Sequence, residues 1–296
     1  ILVGGSLLIL FFFIKQYRPN VFDNTTKISM ILSLITFIVV LSTFVIKLDF
    51  NLLYAIPFCI IPIILKAFFD TRLALFAYII SILIIGFIVP NGFEFVFLQI
   101  LAGIVSILNV LRMYKRIHLF LSAGKITIVY LLIYVGICVT HDGSFKGIEY
   151  NMIFQLLISA GFTLFAYPLI FAFEKIFNLV SDVSLLELSD TNNPLLRRLA
   201  EESPGTFQHS LQVANLVEEG VLSIGGNALL ARVGAIYHDI GKLKNPMYFI
   251  ENQNQNFNPH DDISFNESAE IIINHVHDGV EIAKENNLPD ELIDFI

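Results

Sequence analysis

Seven times between residues 1 and 173 the chain runs through stretches that are almost wholly Ile, Leu, Phe, Val and Ala. They cover about 1–14, 28–46, 51–68, 73–90, 94–111, 126–139 and 150–173. A helix needs roughly 20 apolar residues, with about 17 as a working minimum, to cross the hydrocarbon of a bilayer. Lipid offers no hydrogen bonds, so every backbone N–H and C=O there must pair within the chain, and runs of this length fold as helices. The first and sixth runs are short, and the sixth is expected to extend into its flanks. No run has the flanks and cleavage site of a signal peptide.

Charge divides the chain the same way. Residues 1–173 hold eleven Lys/Arg and six Asp/Glu, a net +5, whereas residues 174–296 hold seven and twenty, a net −13, for −8 in all. A basic, apolar first part joined to an acidic second part reads as a membrane domain followed by a water-facing one. The acidic surface excludes bulk DNA or RNA as a partner, because nucleic acid needs a basic face. Cys59 and Cys138, the two cysteines, sit inside apolar runs and read as packing residues rather than a disulfide.

Cytoplasmic loops collect Lys and Arg. If the first run enters from outside, the inner loops carry Lys15, Arg18, Lys27, Arg72, Arg112, Lys115, Arg116 and Lys125, and the outer loops carry Lys47 and Lys146. The start of the chain is then expected outside, and everything beyond about 173 in the cytoplasm of a multi-pass plasma-membrane protein. A transporter is disfavoured: Lys66, Asp70, Arg72 and Glu94 all fall near segment ends, not at mid-membrane where a charge marks a pathway. Pro57 and Pro62 are expected to break the third run.

In the acidic part, Asn193-Pro194 interrupts the chain and Ser203-Pro204-Gly205-Thr206 signals a helix start, with Thr206 or Ser203 as cap. Helices are expected at about 207–222, 228–237 and 268–284, with a polar loop at 251–262 and no strand. Tyr237-His238-Asp239-Ile240-Gly241-Lys242 ends the second helix, where Gly241 lets the chain turn. Neighbours on a helix are about 100° apart, so His238 and Asp239 can face one pocket, and the two-oxygen carboxylate can bridge two ions. His275 and His277 are about 200° apart, so only one faces that pocket, and His277 reads as solvent-facing. Asp278 shares the face of His275 and is a candidate to orient it. His260, in Asn258-Pro259-His260-Asp261, is either a loop-fixing residue or a residue near the site. His118 and His141 are expected to be exposed in membrane-proximal loops.

The combination resembles the HD superfamily of metal-dependent phosphohydrolases, and within it the PgpH-like seven-transmembrane HD proteins. The residues that carry the resemblance are Asn193-Pro194-Leu195-Leu196, Pro204-Gly205-Thr206-Phe207-Gln208-His209-Ser210, Val213-Ala214-Asn215-Leu216 and Ala231 through Lys242. Glu251-Asn252-Gln253, Asn258-Pro259-His260-Asp261 and Ile271-Ile272-Ile273-Asn274-His275-Val276 complete them. The resemblance implies a helical HD domain with two divalent ions, usually iron or manganese, that converts cyclic di-AMP to pApA. By position it implies His209, His238, Asp239 and His275 as metal ligands, Asp239 bridging and catalytic. Lys242 reads either as a catalytic residue near a phosphate or as one half of a surface ion pair. Two cations suit this reaction, since they neutralise the phosphodiester and acidify a bound water.

The expected fold is all-α: a transmembrane domain over 1–173, a linker helix over 174–200 and the first part of an HD domain over 201–296. Family members carry further ligands downstream and an extracellular domain upstream. The chain is therefore expected to be a fragment trimmed at both ends, weakly active or inactive alone, with the lipid bilayer as a partner and a homodimer left open. Three alternatives remain: a receptor whose HD domain binds nucleotide without cleaving it, a hydrolase of cyclic di-GMP or guanosine tetraphosphate, and a transporter with a regulatory domain.

Overall fold

The structure, a computed structural model, describes residues 1–109, 116–253 and 258–296. It divides into two compact units, Ile1–Ser181 and Asp182–Ile296. Arg112 and Lys115, and the side chains of Arg116, His118 and Lys146, lie outside the described residues.

The first unit holds α1 (Leu2–Tyr17), α2 (Pro19–Phe22), α3 (Thr25–Leu48), α4 (Ile60–Phe68), α5 (Thr71–Gly86), α6 (Gly92–Asn109), α7 (Arg116–Asp142), α8 (Tyr150–Phe162) and α9 (Ala166–Phe177). Four helical runs are long and apolar enough to cross a membrane: Thr25–Leu48, Phe50–Phe68, Leu119–His141 and Tyr150–Phe177. Leu2–Tyr17, Thr71–Gly86 and Gly92–Leu108 are shorter apolar helices. Large apolar side chains such as Phe37, Phe44, Leu108, Leu132, Phe154 and Phe171 point outward. In water such a surface would drive aggregation, whereas hydrocarbon solvates it.

The third run breaks where expected. Ile56 is extended (φ −68°, ψ 128°) before Pro57, as the ring of a following proline demands, and α4 starts beyond it. Pro62 breaks nothing: it is the third residue of α4, where its missing N–H has no intrahelical acceptor to lose. The sixth run extends well past 126–139 in both directions. A helix needs only its backbone bonds, so Lys125 does not interrupt it.

Inside the bundle lies a chain of neutral polar groups. The Tyr78 hydroxyl donates to the Gln99 carbonyl (2.6 Å) and the Tyr130 hydroxyl to Gln99 Oε1 (2.8 Å), with Cys59 Sγ 3.3 Å from the Tyr130 oxygen. Ser159 Oγ donates to the Ile56 carbonyl (2.9 Å), which also accepts from the Phe58 N–H (2.9 Å). Charges stay at the ends. Arg18 grips both oxygens of Asp70 at 2.6 Å, and Asp70 also caps α5 by accepting from the Arg72 N–H at 3.0 Å. With side chains 26% and 40% exposed, the ion pair contributes up to about 1 kcal/mol, and the cap about 1 kcal/mol more. Asp70→Ala is therefore expected to destabilise the bundle about twice as much as Arg18→Ala, read as the loss of melting temperature in detergent.

The second unit holds α10 (Asp182–Leu188), α11 (Pro194–Glu202), α12 (Pro204–Ser223), α13 (Ala228–Tyr237), α14 (Phe265–Glu285) and α15 (Asp290–Ile293), with short 3-10 turns between α13 and α14. No strand occurs among the described residues. Leu196, Leu199, Val233, Ile236, Ile240, Leu243, Ala283 and Leu292 form its core, and the Tyr237 hydroxyl ties α13 to α10 through the Leu188 carbonyl (2.9 Å). Neither expected cap of α12 acts as one. Ser203 occupies the cap position without a side-chain bond. Thr206 turns its hydroxyl to Glu251 (3.0 Å) instead, and its N–H to the Asn252 side chain (3.1 Å).

Candidate metal centre

Three local features bring the site together. α13 ends at Tyr237, so His238 and Asp239 leave the helix just as the chain turns into the 3-10 segment Ile240–Lys244. Gly241 then lies against α14. A Cβ there would overlap the His275 carbonyl and meet the Gly279 N–H, so only glycine lets the turn approach the helix that carries His275. Its role is close approach, not the expected turn geometry, since its φ is not positive. Gly205 does the same for α12: a Cβ there would strike the Glu251 carbonyl, so the turn at Ile250–Asn252 packs directly on the helix that carries His209.

Donor atoms of His209, His238 and Asp239 lie within 4.8 Å of one another. Asp239, 6% exposed, uses its two oxygens differently: Oδ2 faces His238 Nε2 at 3.2 Å, and Oδ1 faces His275 Nε2 at 3.5 Å. The rings of His238 and His275 are aimed alike. Nδ1 of His238 is held by the Ala235 carbonyl (2.8 Å) and Nδ1 of His275 by the Ile272 carbonyl, each three residues back. A histidine whose Nδ1–H is spent on a carbonyl presents Nε2 as its ligand atom. For His275 this orienting partner is Ile272 and not Asp278. Asp278 reaches the other way, to Lys244 at 2.7 Å, because the i+3 carboxylate finds an ammonium closer than the ring. His277 is exposed.

Lys242 closes the site, with Nζ 2.8 Å from Asp239 Oδ2 and 2.8 Å from Glu251 Oε1, above the ring of Phe249. Glu251 and Phe249 escaped the sequence reading as site residues. Glu251 stands in the quoted Glu251-Asn252-Gln253, but only the fold shows that it partners Lys242 and Thr206. His260 joins no ligand cluster. Nε2 bonds the Tyr248 carbonyl (2.7 Å) and Nδ1 faces the Ser268 hydroxyl (2.6 Å), so both nitrogens pin the loop.

Electrostatics follow from this packing. Burial pushes the Asp239 carboxyl up, but hydrogen bonds from His238 and Lys242, and their charges, hold it well below the ordinary carboxylate range. His238 is raised, chiefly by its bond to Asp239 and against burial. Glu251 is lowered: burial opposes this, and the bond from Lys242 outweighs it. A lowered carboxyl adds stability above its ordinary value and loses it as pH falls; a raised histidine adds stability below about 6.5 and loses it as pH rises through its folded value. The metal-free chain is thus expected to be most stable near pH 5–6.5. Melting temperature should drop steeply below about pH 4 and more gently above about pH 7, as a pH series of thermal melts would read.

Imidazole nitrogens around a carboxylate suit borderline divalent metals, and here each carboxylate oxygen addresses a different histidine. The residues present therefore fit a divalent metal. Binding would take the place of the proton that His238 Nε2 shares with Asp239.

Fold and site together define a helical HD-type metal centre in a chain that also carries an apolar helical domain. A family model described as a 7TM receptor with intracellular HD hydrolase matches residues 1–181, and an HD-domain model matches residues 206–296. The chain belongs to this family of seven-transmembrane HD proteins. It is similar to the cyclic-di-AMP phosphodiesterase PgpH of Bacillus subtilis, 31% identical over all of this chain and 43% of that protein. It is also similar to PgpH of Listeria monocytogenes, 34% identical over 83% of this chain and 35% of that protein. The crystal structure of the Listeria PgpH HD domain is 51% identical over 35% of this chain and 50% of its own, with a TM-score of 0.34. A second structure of that domain, in complex with cyclic-di-AMP, is 50% identical over 36% and 50%, with a TM-score of 0.35. The chain spans less than half the length of the curated relatives it matches.

Proposed function

We propose that the protein to which this chain belongs is a membrane-bound phosphodiesterase that hydrolyses cyclic di-AMP to pApA at the HD centre. The observation that carries this reading is the meeting of His209, His238 and Asp239, with His275 on the second carboxylate oxygen. The curated PgpH relatives support the substrate. In this reading His209, His238, Asp239 and His275 would hold two divalent ions, iron or manganese. When bound, the ions supply charge neutralisation of the phosphodiester and acidify a water.

The chain's own residues do the rest. The Ala235 and Ile272 carbonyls keep both imidazoles pointed inward. Burial of Asp239 excludes bulk water from its oxygens. Lys242, kept charged by Glu251, would present an ammonium to a phosphate oxygen at this site. We assign 1–173 to the membrane domain, 174–200 to a linker, which runs through the end of α9, α10 and most of α11 rather than as the single helix expected, and 201–296 to the first part of the HD domain. The chain starts outside and the HD domain is cytoplasmic, with a sensor domain outside and further ligands downstream in the longer protein.

The test is turnover. The natural protein, extended past Ile296 and held in nanodiscs with iron or manganese, is expected to convert cyclic di-AMP to pApA and to leave cyclic di-GMP and guanosine tetraphosphate largely intact. Binding of cyclic di-AMP without turnover would turn the reading toward a receptor.

A further inference from the structure

At the end of the bundle where α3 and α7 finish and α6 and α8 begin, a cavity of about 310 Å³ opens among the helices. This is the end opposite the one toward which α9 runs. Glu94 in the first turn of α6 and Glu149 at the cap of α8 contribute carboxylates, and Tyr54 and Tyr134 also line it. Neither lysine nor arginine is among the described lining residues. The lining His141 Nε2 stands 3.6 Å from Glu94, beyond hydrogen-bond length, and its side chain is 60% exposed.

A second observation comes from Gln155. It lines the same cavity, is only 4% exposed, and its Oε1 has no hydrogen-bond partner. A buried acceptor left unpaired costs about 1–3 kcal/mol, so native structures rarely keep one without reason. The Tyr134 hydroxyl accepts from the Glu149 N–H at 2.9 Å and makes no bond to Gln155 Oε1. A second, largely apolar hollow of about 330 Å³ adjoins the first and shares Glu94, Ile137 and His141 with it; Phe97 and Ile133 line its far side.

Two carboxylates, an orphaned acceptor and an apolar annex together describe a ligand. We propose that the bundle binds a small organic ammonium at this site. Its N–H donors would pair with Glu94, Glu149 and Gln155, and its hydrocarbon part would lie between α6 and α7. The cation would meet aromatic side chains as well as carboxylates, which suits an ammonium stripped of most of its water. The site lies in the membrane unit and is independent of the hydrolase reading. The ammonium could come from a free amine or from an ethanolamine lipid headgroup.

The experiment is calorimetric titration of n-butylammonium into the chain in nanodiscs of phosphatidylglycerol and phosphatidylcholine, with neutral n-butanol as the control. Binding at least tenfold tighter than n-butanol is expected. Glu94→Gln with Glu149→Gln should weaken it at least tenfold. Gln155→Leu should weaken it several-fold while leaving the ligand-free melting temperature unchanged or higher, since the lost group satisfied nothing in the protein. In discs containing phosphatidylethanolamine, weaker apparent affinity identifies the lipid headgroup as occupant, and unchanged affinity identifies a free amine. Equal affinity for n-butanol, or full affinity in the folded double variant, overturns the proposal.

Discussion

Asp239→Asn is expected to abolish metal loading and turnover together. Asp239 is buried, offers one oxygen to His238 and the other to His275, and carries the negative charge that the surrounding cations need. Loss of a residue that merely orients a metal ligand costs about 10–100-fold in affinity. Loss of a ligand shared by two ions should exceed that, so metal content should fall to background and cyclic di-AMP hydrolysis by at least about a thousandfold. The amide keeps the shape but leaves Lys242 and His238 facing a neutral group. Its melting temperature should therefore fall below the parent's above about pH 4 and show less of the parent's acid-side drop, because the lowered carboxyl is gone. Metal analysis and a product assay on the extended protein read both effects. Retention of metal and turnover by D239N would falsify the assignment.

Gly241→Ala is expected to produce the second-largest loss, for a reason unrelated to charge. The added methyl has no free space: it meets the His275 carbonyl and the Gly279 N–H, which are backbone atoms and cannot rotate away. Overpacking of a tight contact costs about 1–3 kcal/mol and occasionally more, and a backbone-to-backbone clash belongs at the upper end. The structure can respond only by moving α14 off the turn. His275 would then leave Asp239, so metal affinity should fall along with stability. Gly279→Ala makes a useful companion, because its Cβ would meet the Ile296 side chain and stand against Gly241 at 3.3–3.5 Å. If G241A melts like the parent and loads metal equally, the close approach has no role in assembling the site.

The apolar runs were legible because hydrophobicity is written residue by residue, and a bilayer turns a long run into a helix without help from distant contacts. The Pro57 break was legible for a similar reason, since proline restricts its immediate neighbour. α7 was harder. Lys125 and the charged flank before it look like a boundary on a hydropathy scale, yet the helix begins at Arg116 because its backbone bonds ignore side-chain charge. The caps at Ser203 and Thr206 misled for a tertiary reason. Thr206 is a good capping residue in isolation, but the Ile250–Asn252 turn, far along the chain, supplies it with better partners.

The site divides along the same line. His238 and Asp239 are neighbours, so their juxtaposition is covalent and needed no fold. That helices carry His209 and His275 was also readable, since their apolar spacing is local. Which atoms meet was not. Asp278 shares a helix face with His275, yet it answers to Lys244; Lys242 rests between Asp239 and Glu251, the second of them nine residues further on. Such choices depend on which side chains from other elements arrive first, and pairing energies fall off over a few ångströms.

By itself, then, the sequence determined that the chain is helical throughout its described residues, largely apolar before residue 174, and equipped with a histidine–aspartate pair at a helix end. Tertiary structure alone decided that Gly241 and Gly205 let two turns close onto two helices at contact distance. It also decided that two carbonyls aim the imidazoles and that an unpaired Gln155 faces a carboxylate-lined cavity. The physical reason is range. Helix formation and apolar burial are encoded over a few residues, whereas hydrogen bonds, ion pairs and clashes act over ångströms between residues far apart in the chain.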